Sequence, residues 1–310
     1  MGVRLAFDRL VHSDWSVSPQ KRWTATAVHS SQGWLVVCLE QTPPSDNFVD
    51  YLFNCSGHTL AGFDFPIGLP SFYTMKTGLS LRDLILNPSS DRAKRFLTPV
   101  ETLFDISPDQ PFYRKHPKGG RHGDLLRGIE CGSICDLLRE CDKRTSNRLR
   151  AESIFWTVGA KQVGKAALAG WREMLVSALA RGAGLWPFDG PLSSLARNKL
   201  TIAETYPAEA YQHIGMAKTI KKRSQAGRKA AGATMIEWAA KRDVSFAEYI
   251  KMKILSGFGE GEDGEDPFDA VAGLCGMIEV ADGRRAEGPC TDKSMKPGEG
   301  WILGQIDLPI

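Results

Sequence analysis

Short apolar or β-branched runs broken by turn residues fill the first seventy positions. Residues 10–16, Leu-Val-His-Ser-Asp-Trp-Ser, predict a first strand with Asp14 near its end. Residues 22–28 predict a second strand, and residues 34–39 a third after the turn Ser31-Gln32-Gly33. Neighbouring strands on short turns predict an antiparallel meander. Asp8, followed by Arg9, is read as a solvated residue ahead of the first strand. Residues 49–55 predict a short amphipathic helix. Residues 60–63 are apolar throughout, and the chain then meets Asp64, Pro66, Gly68 and Pro70. Proline has no N–H to donate and glycine accepts positive φ, so a buried strand ends here with a carboxylate at its tip.

The pattern loosens over residues 71–125, where Asn87-Pro88-Ser89-Ser90, Ser107-Pro108-Asp109 and Pro117-Lys118-Gly119-Gly120 are turn signals. Long segments of this kind serve as lids, binding loops or disorder. Cys131, Cys135 and Cys141 follow on a stretch read as helical. Residues 154–158 look strand-like, and apolar residues from Ala167 to Leu179 recur at helical spacing before Gly182 and Gly184 close the helix. Leu200-Thr201-Ile202-Ala203-Glu204-Thr205-Tyr206-Pro207 repeats the earlier logic of an apolar strand, a carboxylate and a proline. Period two places Leu200, Ile202 and Glu204 on one face. Helices are expected after Pro207, over 230–241 and over 246–255. The last helix opens at Asp266-Pro267-Phe268-Asp269. Pro267 suits its first position and Asp266 its N-cap. Residues 266, 269, 270 and 273 share a face, and Ala270 and Gly273 are small enough to let that face approach a sheet. Residues 299–303 and 306–308 are expected to add an edge strand.

Composition changes little in this picture. The chain has 310 residues, 42% hydrophobic and 24% charged, as in an ordinary soluble globular protein. No apolar run reaches the roughly 18 residues of a membrane span. The N-terminus resembles neither a secretory signal nor a myristoylation signal. The seven cysteines are expected to be reduced thiols of a cytoplasmic protein. With 39 Lys+Arg against 36 Asp+Glu the net charge is +3, so any nucleic-acid footprint has to be local. Two segments are locally basic. One is Tyr113 to His122, with Arg114, Lys115 and Arg121 beside Phe112-Tyr113; the other is Lys218 to Lys229, with Lys221, Lys222, Arg223 and Arg228. Each suits a phosphate backbone, and each also suits a solvated charged face.

The chemistry converges on carboxylates. Asp14, Asp64, Glu204 and Asp269, helped by Asp266, are the candidate metal ligands, and the first four are the candidate catalytic residues. Acids alone select a hard cation, Mg²⁺ or Mn²⁺. Two such ions about 4 Å apart clamp the attacking and leaving oxygens in phosphoryl transfer. All of these acids but Glu204 also have a local structural explanation: Asp14 and Asp64 could shape turns, and Asp266 and Asp269 could cap the helix. Cys131 and Cys135, four apart on a helix, could hold zinc, although no second pair completes the set. Gly159-Ala160-Lys161-Gln162-Val163-Gly164-Lys165 nearly matches a phosphate-binding loop, but Ala166 replaces the hydroxyl that would hold Mg²⁺. Lys161 and Lys165 remain candidates for holding a substrate phosphate.

Ser13-Asp14-Trp15-Ser16, Gly62-Phe63-Asp64-Phe65-Pro66-Ile67-Gly68-Leu69-Pro70, Glu204-Thr205-Tyr206-Pro207 and Asp266-Pro267-Phe268-Asp269-Ala270 together resemble the successive motifs of the DUF429 family, described as predicted nucleases with a ribonuclease H-like fold. The resemblance runs over most of the chain and is most specific at Asp64 and Asp269. It implies a mixed five-stranded sheet, three strands antiparallel, with flanking helices. It places acids on the first strand, the fourth strand, a later strand and the last helix. It implies one domain over 1–310, with a helical and loop insertion at about 72–150. The function expected is metal-dependent phosphodiester hydrolysis of DNA or RNA, with no membrane partner. The alternatives are an inactive ribonuclease H-like module that binds nucleic acid or protein, and phosphotransfer or nucleotide binding through the Gly159 loop on an actin/sugar-kinase-like fold.

Overall fold

The structure, a computed structural model, describes residues 3–115, 120–157, 162–217, 219–289 and 296–310. Nine strands run through the described residues: β1 (Arg9–Asp14), β2 (Trp23–Ser30), β3 (Gly33–Gln41), β4 (Thr59–Phe63), β5 (Val100–Thr102), β6 (Tyr113–Lys115), β7 (Gly184–Leu185), β8 (Leu200–Glu204) and β9 (Val244–Phe246). The chain divides into two compact units. The first comprises Met1–Asp64, Ala183–Gly288 and Ile302–Ile306; the second comprises Phe65–Gly182, Pro289–Trp301 and Asp307–Ile310.

The first unit is an α/β fold built on a seven-stranded mixed sheet in the order β7-β8-β4-β1-β2-β3-β9. The expected meander is present: β1, β2 and β3 pair antiparallel. β4 then joins β1 in parallel, and β8 joins β4 in parallel. The expected five strands grow to seven because two short parallel segments, β7 and β9, extend the sheet at its edges. Both are too short to register as apolar runs in the sequence.

Helices cover both faces. On one, Phe48 of the Ser45–Phe53 helix packs against Trp15 and Phe63. On the other lies the Glu265–Ala281 helix, buried along nearly its whole length. Its close approach depends on glycine. A Cβ on Gly273 would lie 2.2 Å from the His12 ring, and one on Gly62 would lie 2.5 Å from the Met277 sulfur. This helix begins at Glu265 with Gly264 at its N-cap, so Asp266 is not the cap and Pro267 is the third helical residue rather than the first. Proline is still tolerated there, because a first-turn N–H has no intrahelical partner.

The second unit is largely helical. The segment 71–125, expected to be irregular, forms helices at Ser71–Thr77, Leu81–Leu86 and Asp91–Leu97, with Ser80 and Ser90 capping the latter two. Tyr73, Phe96, Phe112, Phe155 and Trp171 form its aromatic core. This unit is wider than an insertion at 72–150, because residues up to Gly182 and part of the C-terminal segment belong to it. Gly68 is held at φ 139°, where a Cβ would strike the Glu299 carbonyl. The C-terminal stretch makes one bridge, Glu204 with Ile302, and no edge strand among the described residues.

Candidate functional site: a carboxylate cluster at the strand ends

β1 and β4 run parallel with Ser13 opposite Phe63, so the next residue on each, Asp14 and Asp64, are also neighbours. The Trp15 backbone N–H donates to Asp64 Oδ1 at 2.6 Å, which ties the two strand ends together. The Asp14 and Asp64 carboxyls are close enough to interact through a hydrogen bond, which two carboxyls form only when one of them is protonated. Both keep some solvent exposure. Burial raises Asp14 well above the ordinary carboxylate range, and the charges of Asp64, Asp269 and Asp266 raise it further. Burial likewise raises Asp64, to about 6, against the opposing pull of the Trp15 N–H. Burial and the neighbouring carboxylates thus both favour the neutral form of Asp14.

Asp269 approaches from the Glu265–Ala281 helix and is buried. The Tyr211 hydroxyl donates to its Oδ1, and the Lys222 ammonium donates to its Oδ2 at 2.5 Å. Lys222 also reaches Glu265 Oε1 at 2.9 Å. Burial disfavours the charged ammonium, but Asp269 and Glu265 outweigh it and raise Lys222 above its ordinary value. Burial raises Asp269 too, and Lys222 and Tyr211 partly offset this. Asp266, half-buried, is also raised, by burial first and then by Asp269 and Glu265 against Lys21 and Lys222.

His12 sets the position of this helix. Its ring is fully buried, and burial lowers its pKa to about 3, so it is neutral at physiological pH. Nδ1 lies 3.0 Å from the Ala270 carbonyl and Nε2 lies 2.9 Å from Thr205 Oγ1. A carbonyl only accepts, so Nδ1 carries the proton and the Thr205 hydroxyl donates to Nε2. One side chain thus links β1, the residue after β8 and the helix that carries Asp269.

Glu204 is placed differently. It is buried, and its register partner is Phe63. Residues in register on parallel strands share a face, and successive residues alternate. Glu204 therefore belongs with Phe63 and Ser13, whereas Asp14 and Asp64 belong to the alternate face with His12 and Gly62. The expected alignment of Leu200, Ile202 and Glu204 holds, but it is not the alignment of Asp14 and Asp64.

The basic candidates separate as well. Arg228 is fully buried and serves the backbone rather than a substrate. It donates to the carbonyls of Lys222 at 2.5 Å, Gly257 at 2.9 Å, Gly259 at 2.9 Å and Gly261 at 2.8 Å. It thereby secures the Lys222 main chain and the loop that leads into the Glu265–Ala281 helix. Lys221 and Arg223 are exposed, and Arg223 is 3.9 Å from Glu265. Arg114, Lys115, Arg121 and Lys165 belong to the second unit. Arg114 and Lys115 lie exposed on β6, Lys115 pairs with Glu101, and the Arg121 backbone N–H donates to Asp124. Lys165 is half-buried near the start of the Val163–Gly170 helix.

Two alternatives that the sequence raised gain no support. Gly159, Ala160 and Lys161 lie outside the described residues, but the described residues before them, 151–157, form a turn and no strand. The strand that a phosphate-binding loop requires is therefore missing. Cys131 follows the His122–Ile129 helix, while Cys135 and Cys141 lie in separate 3₁₀ turns, so the helical zinc pair does not form. None of the six described cysteines is in a disulfide.

Sequence reasoning missed His12 and Tyr211. A histidine two residues before Asp14 on an otherwise apolar strand face was the available signal for the first. Tyr211 gave none, since it meets Asp269 across 58 positions. Among the described residues, no three His, Cys, Asp or Glu side chains form a ready-made metal-binding group, and no helix is long and apolar enough to cross a membrane. No protein-family model, curated protein or solved structure matches this chain.

Proposed function

We propose that this chain is a metal-dependent phosphodiesterase acting on nucleic acid, a DUF429-type protein with a ribonuclease H-like core. The observation that carries it is the Asp14–Asp64 pair: two carboxyls at the ends of adjacent strands, both raised chiefly by burial, with the charges of Asp64, Asp269 and Asp266 raising Asp14 further. The order β3-β2-β1-β4-β8, with three antiparallel strands followed by two parallel ones, supports the ribonuclease H-like core.

The donor set suits Mg²⁺ or Mn²⁺, since it offers hard carboxylate oxygens and a local excess of negative charge. Asp14 and Asp64 would be the first ligands, with Asp269 or Asp266 completing the set. A bound ion supplies charge neutralisation at a phosphoryl oxygen and a lowered pKa for water. The chain's residues do the rest. Trp15 N–H orients Asp64, His12 fixes the helix bearing Asp269, and Tyr211 holds one oxygen of that carboxylate. Lys221 and Arg223 offer exposed positive charge to a phosphate backbone.

Cleavage of labelled single-stranded and duplex DNA and RNA with Mg²⁺ or Mn²⁺ tests this. Asp14→Asn and Asp64→Asn should each reduce cleavage to background. Full activity in both variants would contradict the assignment. The Lys222 ammonium on Asp269 and the lack of a ready-made three-ligand group among the described residues favour a second reading, an inactive binding module. In that case Lys221→Ala with Arg223→Ala would weaken nucleic-acid binding, while the Asp14 and Asp64 variants would leave it unchanged.

A further inference from the structure

Asp269 is the best-placed third carboxylate, yet both its oxygens are engaged, Oδ1 by Tyr211 and Oδ2 by Lys222. The two contacts differ in kind. Tyr211 is a buried side chain of the Pro207–His213 helix, so its hydroxyl is a fixed partner. Lys222 is the end of a flexible stem, and its side chain is 35% exposed, which leaves the ammonium reachable from solvent. Its main chain is nevertheless anchored through the Arg228 guanidinium. The backbone is therefore held, and the ammonium is placed by its stem and its two carboxylate partners. An ammonium bridging Asp269 and Glu265 supplies the positive charge that the carboxylates need when no metal is bound.

We propose that Lys222 is a transferable cation that couples substrate binding to metal binding: it sits on Asp269 in the free protein and moves to a backbone phosphate of the nucleic acid, releasing Asp269 Oδ2 as a ligand. This rests on the phosphodiesterase reading above and deepens it. A phosphate carries the charge and the acceptor oxygens that Lys222 would lose on leaving Asp269, so the exchange keeps the ammonium paired. Lysine suits the task better than arginine, because its charge is compact and its stem mobile, whereas a guanidinium favours fixed bidentate pairing. The protein alone would then bind metal weakly, and nucleic acid would strengthen that binding through the same side chain.

Calorimetric titration of Mn²⁺ into the wild type, Lys222→Met and Lys222→Arg tests the coupling without an activity assay. Lys222→Met should bind Mn²⁺ about tenfold more tightly than the wild type, the scale of one partly exposed charge-assisted bond. Lys222→Arg, which keeps the charge on the carboxylates, should not gain. Equal or weaker binding by the methionine variant would overturn the proposal while leaving the metal site standing. Should that variant fail to fold, the wild type alone decides. A short oligonucleotide should tighten its Mn²⁺ binding, and an unchanged affinity would overturn the coupling. Absence of Mn²⁺ binding in every protein, with and without oligonucleotide, would overturn the metal site itself.

Discussion

Asp64 links protonation to stability in a direction opposite to most carboxylates. Its pKa is raised to about 6, chiefly by burial, so the folded protein binds a proton that the unfolded chain releases between about pH 4 and pH 6. Stability from this group is present below the unfolded pKa and is lost as pH rises through the folded one. Asp64→Asn keeps an oxygen to accept the Trp15 N–H and removes the charge. It should therefore raise the Tm of the metal-free protein at about pH 8 and change it little at about pH 4. Thermal melts across that range check this, and a gain independent of pH would contradict it. Addition of Mn²⁺ should reverse the order, stabilising the wild type and not the variant.

At the scale of elements, the Glu265–Ala281 helix delivers Asp269 because His12, Gly62 and Gly273 allow and fix its approach to the sheet. Gly273→Ala places a methyl against the buried His12 ring and should cost about 1–3 kcal/mol of stability, the usual penalty for overpacking. Urea denaturation measures it, and Mn²⁺ affinity should fall along with stability. A variant as stable as the wild type would show that the helix approach is not limited at Gly273. The ends of β4 and β8 were legible in the sequence, because Asp64 and Glu204 are each followed by proline within three residues and proline stops a buried strand locally. The face on which each acid falls was not legible. It depends on the register of β8 against β4, and pairing between segments over a hundred residues apart leaves no local trace. The short helices of 71–97 did leave one, the N-cap serines Ser80 and Ser90, but Gly, Pro and Asn nearby spoke more loudly for turns.

For the whole molecule, the antiparallel meander of β1, β2 and β3 was legible in the sequence. The seven-stranded width and the second unit were not. β7 and β9 are two and three residues long, and the second unit draws on three stretches of chain that no single composition shift marks off. The candidate site was legible as separate acids and not as an assembly. Asp14, Asp64 and Asp269 could be picked out as residues, but Tyr211 and Lys222 meet Asp269 only through folding, and Arg228 turned from a presumed phosphate contact into a backbone anchor. The central claim is that the Asp14–Asp64 pair, with the Glu265–Ala281 helix, forms a divalent-cation site. The measurement that bears on it most directly is calorimetric titration of Mn²⁺, with a short oligonucleotide present, into the wild type and into Asp64→Ala. Saturable binding in the wild type that disappears in the variant is the predicted result. No binding in either protein, or equal binding in both, would contradict the account.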